Sequence, residues 1–264
     1  MHNSISIGDI KINRIGLGTN RLTDNESTRK LLQRAIELGI NYIDTANIYT
    51  KGESEKTIGS TLSPYPEGLV IGTKGGMVPG SPANNEPAYL QRCLEESLTR
   101  LKTNCITLYQ LHRAAPDIPI EETMKLFAEF KNEGKIKHVG LSEVTVEQIE
   151  KARRVTEIVS VQNHFNLSER KHEDVLNYCE ENNIIFIPFF PLDKGKISVN
   201  ILNDLSKKYN VTTHQLALAW LLKRSPVMLP IPGTLSEKHL TENSEALNIT
   251  ISEEDFNSLN ILSK

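Results

Sequence analysis

The sequence is short of cysteine, of tryptophan and of any surplus of positive charge. Its 3 cysteines among 264 residues, Cys93, Cys105 and Cys179, are odd in number and follow no metal-ligand spacing. That excludes a disulfide-built framework and leads us to expect free thiols in a reducing, cytoplasmic compartment. Against 33 Asp and Glu stand 30 Lys and Arg, a formal net charge of −3, so the basic surplus by which nucleic-acid binders grip phosphate is missing. The longest apolar run, 184–192, is broken by 2 prolines and falls far short of the ~20 residues of a membrane span. The opening stretch MHNSISIGDIKINR has no basic segment followed by an apolar block, so no secretory signal is expected. Neither nucleic acid nor membrane is an expected partner, and no feature specifies an oligomeric state. What is present, 38% hydrophobic and 24% charged residues, suits a globular protein large enough to bury a substantial core without staples.

Short, nearly continuous apolar runs alternate with amphipathic ones. Strands are expected at 15–19, 42–46, 69–74, 106–112, 139–143, 160–166, 185–192 and 227–234. Continuous apolarity, in place of alternation, is what a parallel strand covered on both faces requires. Between them the period is helical. Ile120, Met124, Phe127 and Phe130 share one face, with Gly134 placed to cap the end. The same spacing recurs from Leu90 to Leu101 and from Leu31 to Ile36, the latter stopped at Gly39. Ahead of these, SISIGDIKIN alternates isoleucine with polar residues around Gly8-Asp9 and predicts a β-hairpin. Eight strands with intervening helices in about 250 residues predict a (β/α)8 barrel with a short N-terminal hairpin. No linker or shift in composition divides the chain, so residues 1–264 are expected to form a single domain. The rival is a doubly wound sheet, which usually has fewer strands.

In a barrel, chemistry sits at the carboxyl ends of the strands. Asp44, Lys74, His112, Ser142, Glu143, Gln162 and Thr234 fall there, and Tyr49 follows Asp44 by five residues. Singly, each has a structural explanation: a helix cap, a solvated charge, a hydrogen-bonded histidine. Together on one rim they suggest a proton donor. Bringing a phenol from its ordinary pKa of ~10 to near neutrality takes about 4 kcal/mol. One ammonium at ~4 Å in an effective dielectric of ~20 supplies that much, while burial of the phenolate opposes it. Lys74 would therefore acidify Tyr49, Asp44 would hold Lys74 charged, and His112 would position a carbonyl oxygen. Such a set suits protonation of a developing alkoxide while a cofactor delivers hydride.

The string DTANIYTKGESEKTIG at 44–59 resembles the Asp-Thr-Ala-x-x-Tyr signature of the aldo-keto reductases. VIGTKGG at 70–76 and LYQLHR at 108–113 resemble that family's lysine and histidine strands. QLALAWLL at 215–222, IPGTLSEKHLTEN at 231–243 and the opening RIGLGTNRL at 14–22 extend the likeness over most of the chain. The resemblance implies a nicotinamide dinucleotide, NADPH with NADH as the alternative, and a small-molecule carbonyl substrate. It implies Tyr49 as general acid/base, Lys74 and Asp44 as its partners, and His112 as the substrate-orienting residue. It also implies Gly18 and Thr19 near the cofactor, Ser142, Glu143 and Gln162 near the carboxamide, and Phe189 under the nicotinamide. Leu192 and the segment 192–196 would lie on the pyrophosphate, and Thr234, Ser236, Lys238, Glu242 and Asn243 around the adenosine end. Glu143 stands where many members have asparagine, as in the GLSE-type bacterial branch. Gly233 and His239 replace a common lysine and a frequent arginine, which weakens the case for a 2′-phosphate.

The same residues admit other readings. GLGTNR at 16–21 begins like a dinucleotide fingerprint, but Arg21 stands where the third glycine belongs. Lys74 could form a Schiff base in a lyase. A non-catalytic nucleotide sensor or regulatory subunit could keep all four rim residues. A metal hydrolase finds no ligand set, so no metal is expected. The segment 210–225 could be read as helix-turn-helix, although its apolar run suits a barrel-covering helix better. The loops 75–87 and 113–119 would shape the substrate site, without a charge cluster demanding an anionic ligand, and an open site for small aldehydes or ketones is expected.

Overall fold

The computed structural model describes residues 3–193 and 200–261. Strands β1 (Ser4–Ile7) and β2 (Ile10–Asn13) form the expected antiparallel hairpin, with Ile7 opposite Ile10 and Gly8 at φ 58° in the turn. Seven further strands follow, all parallel and adjacent in chain order. They are β3 (Leu17–Gly18), β4 (Tyr42–Asp44), β5 (Val70–Gly75), β6 (Ile106–Leu111), β7 (Ile136–Ser142), β8 (Ile158–Gln162) and β9 (Ile185–Phe186).

The eighth expected strand, 227–234, takes a different form. Phe186 N–H donates to the Val227 carbonyl at 2.9 Å, and Leu229 N–H donates to the Phe186 carbonyl at 2.9 Å. On its other side the Gly16 and Gly18 N–H groups donate to the Pro230 and Pro232 carbonyls at 3.0 and 3.4 Å. The segment thus joins β9 to β3, through single bridges at Met228 and Gly233, without forming a regular ladder. The reason is chemical. In a parallel ladder a residue turns its N–H and C=O to the same neighbour, and the residues turned toward β3 are prolines, which accept but cannot donate. Gly18 is required at this seam because a Cβ there would lie 2.7 Å from the Ile231 carbonyl oxygen. That close approach to backbone accounts for the glycine.

Helices α1 (Glu26–Glu37), α2 (Glu53–Leu62), α3 (Pro87–Leu101), α4 (Ile120–Asn132), α5 (Val146–Arg153) and α6 (Glu173–Glu181) alternate with the strands. Beyond β9 come α7 (Asn200–Tyr209), α8 (Thr213–Arg224), α9 (Glu237–Glu245) and α10 (Glu253–Asn260). Caps fix several starts: Asn25 with Thr28, Thr145 with Gln148 and Thr212 with Gln215 form reciprocal capping boxes. The face of α4 predicted from its period is buried, and Gly134 follows at φ 72°. All eight residues 215–222 of α8 are buried, and Trp220 stacks between Phe165 and Phe256. No face of that stretch is open to a DNA groove, which removes the helix-turn-helix reading.

Two cores result. The larger fills the space between helices and the outer face of the sheet. A smaller one gathers Ile7 and Ile12 of the hairpin with Tyr42, Val70, Leu108, Ile185, Ile187, Leu229 and Ile231. Because side chains alternate along a strand, the residues one or two steps further along the same inner face are Asp44, Lys74, Gln110, His112 and Phe189. The hairpin plugs one end of the inner core, and the polar residues occupy the other. Among the described residues no helix is long and apolar enough to cross a membrane.

Candidate active site

Asp44 ends β4 and Lys74 lies near the end of β5, its ammonium 2.6 Å from Asp44 Oδ1 and 2.7 Å from the Thr45 carbonyl oxygen. Both side chains are closed to solvent, at 0% exposure for Lys74 and 2% for Asp44. The Tyr49 phenol also interacts with the ammonium and helps to hold it charged. Burial pushes the Lys74 pKa down, but Asp44 and Tyr49 more than offset it, and the net direction is up. Lys74 is therefore held as an ammonium. A Schiff base needs a free amine, so this environment argues against the lyase reading. Asp44 Oδ2 accepts from Tyr42 Oη at 3.2 Å, Gln162 Nε2 at 2.8 Å and Gln110 Nε2 at 3.5 Å. With these donors and the Lys74 ammonium around it, the carboxylate is fixed in place.

Tyr49 opens a single helical turn, Tyr49–Gly52, in which Thr50, Lys51 and Gly52 have φ of 48°, 59° and 87°. Two successive non-glycine residues in the left-handed region are strained. The Thr50 hydroxyl holds them, donating to the Leu22 carbonyl at 2.8 Å and accepting from Ser54 N–H at 3.0 Å. The Tyr49 ring centroid is 5.1 Å from Lys74 Nζ and 6.0 Å from the His112 ring, edge-on at 82°. The expected acidification is corrected here. Burial raises the phenol pKa, the Lys74 charge opposes it without prevailing, and the net direction is up. Near neutrality Tyr49 is thus a loaded proton donor.

His112 is 6% exposed and its pKa lies well below the ordinary value, through burial and then the charges of Lys74 and Arg113. The imidazole is neutral. Its Nδ1 is buried without a partner among the described residues. Placing the single proton on Nε2 leaves only a lone pair at Nδ1, the less costly orphan, and presents an N–H to a ligand oxygen.

Around this set the remaining predicted residues sort by location. Ser142 is 1% exposed, and its hydroxyl accepts from Arg113 Nη1 at 2.9 Å. Glu143, at φ 53°, accepts the His164 N–H on Oε1 at 2.8 Å and lies 3.7 Å from His172 Nε2. Phe189 carries the His164 ring stacked at 5.2 Å and the Arg113 guanidinium at 5.8 Å. Thr19 donates through both N–H and Oγ1 to the Asp44 carbonyl, at 3.0 and 2.8 Å. Residues 17–22, with Thr234 and Leu235, line a cleft beside the seam. The Thr234 hydroxyl accepts from Ser236 N–H at 3.0 Å, and Ser236 caps α9 through His239 N–H. Lys238 is exposed and pairs at 3.7 Å with Glu242, one turn further along α9 and next to buried Asn243. Leu192 packs on the larger core, while residues 194–196, assigned by resemblance to the pyrophosphate, lie outside the described residues.

Sequence reasoning missed Arg113, His164 and the pair Tyr42 and Gln110. Arg113 had the clearest signal, since it directly follows the strand-ending histidine in LYQLHR.

The model of the Aldo/keto reductase family matches residues 14–264. An uncharacterized oxidoreductase of Schizosaccharomyces pombe is 44% identical over 96% of this chain and 87% of its own. The pyridoxine 4-dehydrogenase of Escherichia coli is 33% identical, covering 99% of both. Among solved structures, a thermostable aldo-keto reductase in complex with the inhibitor epalrestat superposes with TM-score 0.89 at 30% identity, over 98% of this chain and 99% of that one. An aldo/keto reductase from Klebsiella pneumoniae, solved with NADP and acetate, superposes with TM-score 0.87 at 28% identity, over 99% and 95%. These neighbours imply the (β/α)8 barrel that the seven-stranded sheet and its bridging segment trace. With the family model covering nearly all of it, the chain belongs to the aldo/keto reductase family and is an oxidoreductase.

Proposed function

We propose that the protein reduces small aldehydes and ketones to alcohols with NADPH, and with NADH as a weaker alternative. The observation that carries the reading is the buried Lys74, held as an ammonium by Asp44 and the Thr45 carbonyl beside the Tyr49 hydroxyl. When bound, the dinucleotide supplies hydride to the carbonyl carbon. The residues present fit such a group: Phe189 brings an aromatic ring backed by the stacked His164, Ser142 brings a hydroxyl still free to donate, and the lining of the cleft at 17–22 and 234–235 adjoins Ser236, which caps α9. Binding of NADP to the Klebsiella neighbour supports the choice of cofactor.

On this reading the Nε2–H of His112 holds the carbonyl oxygen, and Tyr49 gives its proton to the oxygen as negative charge develops. The Lys74 ammonium stabilises the phenolate left behind, and Asp44 keeps that ammonium charged and in place. A neutral histidine matters, because a charged one would repel Lys74 and Arg113. Thr234, Ser236, Lys238, Glu242 and Asn243 are assigned to the adenosine end, and Gly18, Thr19, Glu143, Gln162 and Leu192 to the remaining contacts. The string Gly-Leu-Ser-Glu at 140–143 supports the GLSE-type branch, although likeness to a fission yeast protein means the similarity is not confined to bacteria. A single domain and a cytoplasmic setting complete the reading, the latter supported by three free cysteines. Pyridoxal is a reasonable first substrate, given the relative that is a pyridoxine dehydrogenase.

The test is NADPH oxidation with pyridoxal and a panel of aldehydes. Wild-type turnover that Tyr49→Phe abolishes, with dinucleotide binding retained, is expected. Tight binding without turnover on any carbonyl would instead indicate the sensor reading.

A further inference from the structure

The mouth of the site holds a cation that the proposed proton chemistry does not use. Arg113 follows β6 and is half-buried. Its Nη1 donates to the Ser142 hydroxyl and to the neighbouring His112 carbonyl, and its guanidinium lies over Phe189. Among the described residues no carboxylate is within ion-pair distance of it, and its Nε and Nη2 have no hydrogen-bond partner. Glu143 acts on it electrostatically, but its Oε1 accepts the His164 N–H. The backbone is also fixed. Asn85, 2% exposed, donates to the Arg113 carbonyl at 3.1 Å and accepts from Ala115 N–H at 2.6 Å, tying the loop after β5 to the loop after β6.

We propose that Arg113 is a substrate-recognition residue, and that the preferred substrates are carbonyl compounds bearing a carboxylate or comparable anion, bound by its unengaged nitrogens. Burial pulls the Arg113 pKa down, and the Glu143 charge, acting from beyond ion-pair distance, opposes that without prevailing, so a half-buried guanidinium still gains from an anion placed against it. An incoming carboxylate would supply the missing charge with charge-assisted, planar hydrogen bonds of the kind arginine forms best. Its neighbours are the groups that would act on the carbonyl: Arg113 influences both His112 and Tyr49 electrostatically. This departs from the open, uncharged site expected from the loops alone. The inference rests on the carbonyl-reductase reading and adds the substrate class.

The experiment compares meta- and para-formylbenzoate with the matching tolualdehydes, pairs alike in shape and differing in charge. A kcat/KM advantage for the anions of roughly 10- to 100-fold is expected, corresponding to charged hydrogen bonds. Arg113→Met should bring the ratio to near unity, with Arg113→Lys between the two. The ratio is the readout, so a general loss of activity does not obscure it. Parity in the wild type, or an advantage untouched by Arg113→Met, would overturn the assignment. In parallel, binding of the alcohol-bearing benzoates is measured by calorimetry with NADP present. If no aldehyde is reduced, the redox reading fails, while loss of benzoate binding in Arg113→Met still upholds the anion contact and its retention refutes it.

Discussion

Removing the Lys74 charge separates catalysis from stability. Lys74→Met leaves Asp44 buried with only neutral donors, Tyr42, Gln110 and Gln162, for company. Breaking a buried pair from one side typically costs about 3–5 kcal/mol of folding stability. For catalysis, an ammonium 5.1 Å from the Tyr49 ring centroid in an effective dielectric of ~20 stabilises a phenolate by about 3 kcal/mol. That is roughly a hundredfold in rate. Asp44→Asn combined with Lys74→Met removes both charges. Stability should then recover to within about 1–2 kcal/mol of wild type, because the uncompensated carboxylate is gone. The rate should not recover, because the ammonium is still missing. Urea unfolding and single-turnover NADPH oxidation on the two single variants and the double one give both cycles. A double variant as unstable as Lys74→Met, or a Lys74→Met that turns over at the wild-type rate, would refute the reasoning.

Three further outcomes are expected. The raised Tyr49 pKa keeps the donor protonated, so kcat/KM for reduction should stay level from about pH 7 to 9, while alcohol oxidation, which needs the phenolate, should climb through that range; a reduction rate falling steadily above neutrality would contradict this. His112 is depressed in the folded state, so the unfolded chain binds the extra proton and stability should fall as pH drops below about 6.5, a slope that His112→Gln should flatten in urea titrations. At Gly59 a Cβ would sit 2.2 Å from the Arg100 carbonyl oxygen. Gly59→Ala should therefore push α2 from α3 and cost about 1–3 kcal/mol by thermal unfolding, whereas Gly134→Ala, with open space around its Cβ, pays only for its positive φ.

Much of this molecule is legible from residue order. The α4 face, the hairpin and the shared rim of Asp44, Lys74 and His112 follow from periodicity and the alternation of strand side chains. What was illegible depends on pairs brought together by closure. Gln162 meets the Asp44 carboxylate across 118 positions of sequence, a partnership that no local pattern encodes. Tyr49 gave the wrong sign because its acidity balances burial against one charge, and burial is a property of the assembled mouth. Arg113 carries no mark in the sequence beyond its place after His112, and only its contacts with Phe189 and Ser142 distinguish it from a solvated charge.

The proline seam bears on how the ring is finished. Its two sides lie more than two hundred positions apart, with Gly18 meeting Gly233, so this joint is made only after the more than two hundred residues between them have been synthesised. Until then β3 and β9 are raw borders able to recruit stray strands. A closing piece that offers carbonyls but no amide protons at Pro230 and Pro232 is a poor template for continued growth toward a foreign chain. It docks against its own β3, where Gly18 and, just ahead of the strand, Gly16 supply the missing protons, and discourages intermolecular zippering in the interval before closure.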